Sequence, residues 1–555
     1  MISPSNHETS QEGTMAPRSD DERKVEVNNQ VVADDTSRVY ITGTRFWLVT
    51  FALAVMVFMV TFEIPVVTTA LVAITSDLGD FDNISWVVSS YLLGYVGVII
   101  IFAKISDIFG RQPIFICSIL LFLIFSAACS AAQTMTQLIV FRAFQGLGGG
   151  GCYSLGTIIV SELVPQARYA TYTARLSIAV SLALLLGPVV GGAISAHISW
   201  RWIFIINVPI ASVALLLVLI SMPRDFPYQG HLTNKPQRLR QIFARSTIER
   251  LDILGATLLL FAVLSLTAGF EEADSRFPWN SAYVITLLVL SGFFWIALSL
   301  WERHITLKDG TQEPVLPWRF VTNRVMTGVL LVFFFLGGPF IVSVYQLPQR
   351  FQLVNRLSGL DAGVRLMPFT LASPVGTGIA AGIAGKFKVP PIWVIIAGSS
   401  LQVVGFSLLG TLPVTLDFLP RIYGYEVIAG FGCGMNLALL FVIIPGVVES
   451  RDQGVALGAG SQFRMIGSAI ALAASTSVFD GRTRPQLTNI LGPFRATEAL
   501  LALGQYIGTL PPDVQENVRL ALADGYNWQM IVLAAFAAAQ IPAALLLWKK
   551  KQITV

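Results

Sequence analysis

Three charged residues interrupt stretches that are otherwise apolar: Glu63 late in the run 46–71, Arg142 early in 137–159, and Arg464 in the middle of 454–478. A charge inside such a segment costs a few kcal/mol or more, so it normally has a partner or a task. If successive runs cross a bilayer in opposite directions, Glu63 and Arg142 fall at similar depth and can pair. A carboxylate beside a guanidinium takes up and releases a proton as its burial and pairing change. The chemistry predicted is proton binding tied to a change of shape. A fixed ion pair is the plainer alternative for Glu63 and Arg142, and a polar anchor for Arg464. Glu426, at the start of the run 422–445, reads as an interfacial acid wetted by solvent.

A second constellation lies between two runs, where Ala103 to Pro113 reads AKISDIFGRQP. Gly110 permits a tight reversal. Asp107 can cap a neighbouring helix N-terminus while Arg111 pairs with a carboxylate, which makes a latch that forms in one conformation and breaks in another. Gly187-Pro188 and Gly191-Gly192 fall within 172–196. Proline removes a backbone donor there and the glycines thin the helix, so the segment can bend. Gly148 to Gly151 have no Lys-Ser/Thr after them and read as close packing, not a phosphate cradle. Cys117, Cys129, Cys152 and Cys433 form no CxxC pair, and His7, His197, His231 and His304 lie outside the apolar cores. No metal, cofactor or catalytic nucleophile is predicted. Asn83-Ile84-Ser85 is the single glycosylation sequon.

The elements that must position these residues are membrane helices. Of 555 residues, 54% are hydrophobic and 13% charged, and the mean hydropathy is +0.68. A soluble domain carries about 25% charged residues. The shortfall leaves too little charge to cover a water-facing surface. Apolar runs of spanning length fall near 46–71, 85–103, 113–132, 137–159, 172–196 and 200–221, then 252–270 and 281–301, then 325–345, 360–383, 391–412, 422–445, 454–478 and 528–548. The predicted fold is an all-α polytopic membrane protein of fourteen spans: two six-helix bundles plus two extra central helices. The division is a polar, disordered tail 1–44 with no signal-peptide core, a first bundle 45–221, a middle segment 222–324 with the extra spans, a second bundle 325–548 and a tail 549–555. Residues 479–527 are expected to be a loop with an interfacial patch from Ala499 to Leu510.

Basic residues set the orientation. The polar stretches 222–251 and 302–324 and the final Lys549, Lys550 and Lys551 are rich in Lys and Arg, whereas 72–84 and 130–136 have none. Both termini are therefore expected in the cytosol; Arg350 and Arg356, in an expected outer loop, run against the pattern. Lys plus Arg of 37 against Asp plus Glu of 33 is too even to imply nucleic acid.

With the Asp107 turn, Leu138 to Gly148 (LIVFRAFQGLG), Gly187 to Gly192, Trp200 to Pro209 (WRWIFIINVP) and Gln462 to Gly467 (QFRMIG), the chain resembles the major facilitator superfamily, and within it the fourteen-span drug:proton antiporters of fungal type. Ala103 stands where the loop motif usually has Gly, Phe62-Glu63 where the first span usually has Leu-Asp, and Val72 where it has Pro. The resemblance implies a secondary transporter, not an enzyme, that exports small amphipathic organic molecules by proton antiport and alternating access. It implies proton coupling through Glu63, Arg142 and Arg464, a latch at Asp107, Gly110 and Arg111, and an antiporter motif at Gly187, Pro188, Gly191 and Gly192. The expected partners are a small-molecule substrate, protons and the bilayer, for a monomer in the plasma membrane or the vacuolar membrane. Other cargo, a basic amino acid or an iron chelate, is the nearest alternative; a membrane enzyme or sensor is remote.

Overall fold

The computed structural model describes residues 40–79, 86–224, 226–227, 249–273, 277–308, 310–492, 510–550 and 552. Most of the expected tail 1–44, the sequon at Asn83, most of 222–251 and all but the last residue of the 499–510 patch lie outside the described residues.

Twelve described helices are long and apolar enough to cross a membrane, and a pair bent by 42° at Val98 makes thirteen. The first six spans are α1 (Gly43–Leu78), the bent pair α2 (Trp86–Gly97) and α3 (Ile99–Phe109), α4 (Arg111–Ala131), α5 (Met135–Leu163), α6 (Gln166–His197), and α7 (Arg201–Ile205) running into α8 (Asn207–Ser221). The first bundle's other long helix, α5, lies outside that count. Its 29 residues are ample for a hydrocarbon layer about 30 Å thick at about 1.5 Å per residue. It carries Arg142, Gln145 and four consecutive glycines because it packs against α1, α2, α3 and α4. The fourteen predicted spans are consistent with this set.

Next come α9 (Ile253–Glu272) and α10 (Ala282–Lys308), a hairpin packed on itself, with α9 also against α2. The remainder is α11 (Trp318–Thr322), α12 (Arg324–Gly337) continuing through a π turn at Gly338–Val342 into α13 (Ser343–Leu353), α14 (Gly359–Arg365), α15 (Met367–Lys386), α16 (Pro391–Gly410), α17 (Arg421–Ile443), α18 (Gln453–Leu491) and α19 (Pro512–Leu545). Within this half, α15 and α16 pack on α17, and α12 and α18 on α19. The two six-helix bundles meet along α6 with α15 and along α3 with α18. Outward-facing Val289, Phe293, Ile296 and Leu300 form one stripe of α10, each more than 60% exposed. Such a stripe suits lipid as its solvent.

Two expectations are corrected. The described parts of 479–527 are mostly helix: α18 runs on to Leu491 and α19 starts at Pro512, and Phe479, Leu487, Val518, Leu522 and Tyr526 close a small core between these extensions. Hydropathy misses them because they project beyond the hydrocarbon and need only one apolar face. Arg350, expected in a loop, lies on α13 and is buried.

Candidate functional site

Glu63 sits on α1 with none of its surface exposed, and Arg142 on α5 is equally enclosed. Arg142 Nη1 lies 2.5 Å from Glu63 Oε1. Gln145, one turn further along α5, donates from Nε2 to the same oxygen at 3.0 Å and accepts from Arg142 Nη1 at 2.8 Å. Asn207, at the start of α8, donates to Glu63 Oε2 at 2.6 Å. The guanidinium also donates from Nε to the Val87 carbonyl and lies 4.3 Å over the Tyr91 ring. Each hydrogen bond that this carboxylate accepts among the described residues comes from inside the first bundle, from α5 and α8. The expected pairing of Glu63 with Arg142 is present. Gln145 and Asn207 escaped sequence reasoning, although both are polar residues in apolar spans and Gln145 follows Arg142 at the helical spacing of three.

The Gly187 motif abuts this site from α6. A Cβ on Gly187 would lie 2.5 Å from Pro65 Cγ, and one on Gly191 would lie 2.3 Å from the Val66 carbonyl oxygen. These partners follow Glu63 within one turn of α1. Gly192 faces open space.

Arg464 is not part of the Glu63 cluster. On α18 it reaches across to the first bundle, where Nη2 meets the Tyr153 hydroxyl at 2.5 Å. Tyr153 rests against Tyr95, and Tyr95 against Tyr91, at centroid distances of 5.8 and 6.0 Å. A file of three tyrosines therefore separates the two arginines. In the second bundle, Phe333 is buried against Phe441 and Phe335 packs on Phe536. Gln346 donates to Ser475.

At the end of the bundle where α1 begins, the second constellation is assembled. Arg111 pairs with Asp107 at 2.5 Å and with Glu162 of α5 at 2.7 Å. Gly110 has φ +96°, a conformation glycine tolerates best. The start of α18 lies directly on this turn: a Cβ on Gly454 would be 2.6 Å from Arg111 Nη2 and 2.8 Å from Asp107 Oδ1. Asp452, just before it, pairs with Arg319. Nearby, Glu313 bridges Lys104 at 2.7 Å and Arg250 at 2.5 Å. Partial burial pushes the Glu313 carboxyl up, but the two cations outweigh it and hold the group below the usual carboxylate range.

Glu426 is not wetted. It is fully buried on α17, and among the described residues neither carboxylate oxygen has a hydrogen-bond partner. Arg350 of α13 lies within its electrostatic reach and donates to Asn527 of α19 at 3.4 Å. Its position near the helix end disguised the burial, because α17 begins among packed helices, not in water. Acid, arginine and asparagine thus occupy the first, fourth and sixth spans of the first half as Glu63, Arg142 and Asn207. The corresponding spans of the second half hold Arg350, Glu426 and Asn527, with the charges exchanged.

A family model described as Major Facilitator Superfamily matches residues 47–301. The chain is 38% identical over 535 residues to the MFS-type transporter FPY5 of Fusarium mangiferae, covering 96% of this chain and 88% of that one. It is 30% identical over 516 residues to the efflux pump dotC of Dothistroma septosporum, covering 91% and 85%. Among solved structures, the proton:xylose symporter XylE superposes with a TM-score of 0.54 at 14% identity, covering 91% of this chain and 96% of that one.

Proposed function

The chain belongs to the major facilitator superfamily of membrane transporters, and we propose that it exports small amphipathic organic molecules by proton antiport. It is a carrier and not an enzyme. The observation that carries the coupling is the enclosed Glu63, held by Arg142, Gln145 and Asn207. Removing two charges from water is repaid only if the pair stays intact and its remaining polar atoms are bonded. Protonating Glu63 cancels one charge and leaves Arg142 uncompensated, so the bundle is driven toward another arrangement. Deprotonation restores the pair. An efflux pump among the relatives supports the outward direction of transport.

In this reading the bundles 45–221 and 325–548 rock about the α6–α15 and α3–α18 seams, exposing a central site alternately to each side. The α6 motif supplies the bend beside Glu63. The Asp107–Arg111–Glu162 cluster against Gly454 is the latch that holds the two bundles together at one end. Both termini face the cytosol, the carrier works as a monomer, and the plasma membrane is its site.

The test is uptake into sealed inverted vesicles with an imposed pH gradient and a panel of lipophilic compounds, with and without an uncoupler. Uphill movement that collapses with the uncoupler supports antiport. Movement indifferent to the gradient returns Glu63 to the role of a structural ion pair.

A further inference from the structure

Buried arginines in this protein have anionic company. Arg142 is ion-paired with Glu63 and Arg111 with Asp107 and Glu162, and Arg350, without a direct ion pair, lies within electrostatic reach of Glu426. Arg464 has none. It is 3% exposed, yet among the described residues no carboxylate forms an ion pair with it, and its Nε has no hydrogen-bond partner. Its polar contact is the Tyr153 hydroxyl, not a carboxylate. A buried guanidinium without a counter-charge is costly and is normally retained for a task.

Its place indicates the task. Arg464 lies where α18 of the second bundle meets the first bundle, which is where carriers of this architecture hold their cargo. Aromatic faces come from both sides: the guanidinium carbon is 5.8 Å from the Tyr153 ring centre and 5.9 Å from that of Phe340. Phe340 sits in the π turn Gly338–Val342, and such irregular turns recur at functional sites. Beside Arg464 on α18, Gln462 accepts from the Ile100 amide while its own Nε2 donates to no described residue. The seam therefore offers donors and positive charge, with flat aromatic walls.

We propose that Arg464 is the anion-binding residue of the cargo site, and that the cargo is an organic anion with a planar aromatic or conjugated body. Its acidic group supplies the missing counter-charge, and its ring lies against Tyr153 and Phe340. A cationic cargo meets like charge here. The inference rests on the carrier reading of the fold but not on proton coupling.

The test uses purified full-length protein and no gradient, so a failure of the antiport reading leaves it untouched. Tryptophan fluorescence follows binding of a panel of aromatic carboxylates, such as 2-naphthoate, each matched with its amide and its methylammonium analogue. Carboxylates are expected to bind at least ten-fold more tightly than their amides, and the ammonium compounds more weakly still. Arg464→Gln should lower carboxylate affinity to that of the amide, while Arg464→Lys keeps part of the preference. Equal or tighter binding of amides or ammonium compounds by the unaltered protein overturns the proposal, as does absence of binding by every carboxylate. A carboxylate preference that persists in a folded Arg464→Gln variant also overturns it. Should that variant not fold, the unaltered protein's ranking of the three probe classes decides.

Discussion

Gly187 of α6 lies against Pro65 of α1 so closely that a Cβ on the glycine would come within 2.5 Å of the proline ring. Pro65 follows Glu63 by two positions, and both helices contain a proline in this region. Two spans that each lack a backbone donor thus meet beside the buried carboxylate, where bending of one must displace the other. Overpacking such a contact costs about 1–3 kcal/mol. Gly187→Ala is therefore expected to reduce transport several-fold and Gly191→Leu to abolish it, with both proteins still reaching the membrane. Gly192→Ala, which faces open space, serves as the matched control and should transport normally. Equal activity in all three variants would show that the contact is only packing.

The Glu63–Arg142 pair allows stability and function to be separated. Removing one partner of a buried pair costs about 3–5 kcal/mol, whereas replacing both with neutral groups is often harmless. Glu63→Gln and Arg142→Gln should each lower the melting temperature, and the double variant should recover much of the loss. If Glu63 carries the proton, the double variant remains unable to transport against a gradient despite its recovered fold. Gradient-driven transport by the double variant would make the pair structural.

Much of this architecture could be read from residue types. The apolar runs located the spans, and the charges at Glu63 and Arg142 stood out because lipid tolerates so few. Extent was harder to read. Beyond the hydrocarbon a helix needs only one apolar face, so the extensions around Phe479 and Tyr526 carried no hydropathy signal. Depth was also harder. Glu426 and Arg350 lie near helix ends, where sequence position suggests water, and only packing against neighbouring helices shows them to be buried. That no carboxylate among the described residues pairs with Arg464 is likewise a fact of three dimensions.

The turn around Asp107 bears on rate more than on affinity. Arg111 holds Asp107 and Glu162 together against the start of α18, a contact between the bundles that must break whenever they separate at this end. Asp107→Ala is expected to slow turnover several-fold while cargo affinity, measured by equilibrium binding, is unchanged. Gly454→Leu should have a similar effect, because its side chain would be driven into Arg111 and Asp107. Loss of affinity in parallel with rate would place the turn in cargo binding instead.

Glu313 provides a pH signature outside the spans. Its carboxyl is held below the ordinary value of 4.5 by Lys104 and Arg250. A depressed acid stabilises the folded state fully above its unfolded value and loses that contribution as pH falls through the folded value. The melting temperature of the unaltered protein should therefore exceed that of Glu313→Gln at pH 7. The difference should persist to about pH 5 and shrink below 4.5. A difference independent of pH would mean that the glutamate acts by shape alone.

The exchanged cluster in the second bundle yields the last prediction. Arg350 and Glu426 are buried within electrostatic reach of each other, but among the described residues Glu426 accepts no hydrogen bond and Arg350 Nε donates none. The pair therefore lacks the extra hydrogen bonds that Gln145 and Asn207 give to Glu63. Arg350 is the counter-charge that acts on Glu426, whereas Arg365 of α14 bonds the Tyr423 hydroxyl and lies over the Phe418 ring. A buried pair with unfilled hydrogen-bonding positions repays its desolvation poorly. Arg350→Gln with Glu426→Gln should thus match or exceed the unaltered melting temperature, whereas each single change lowers it. The exchange Arg350→Glu with Glu426→Arg, which copies the arrangement of the first bundle, should fold better than either of its single components. Purely additive effects in this double-mutant cycle, within about 0.5 kcal/mol, would show that the two side chains do not act as a pair.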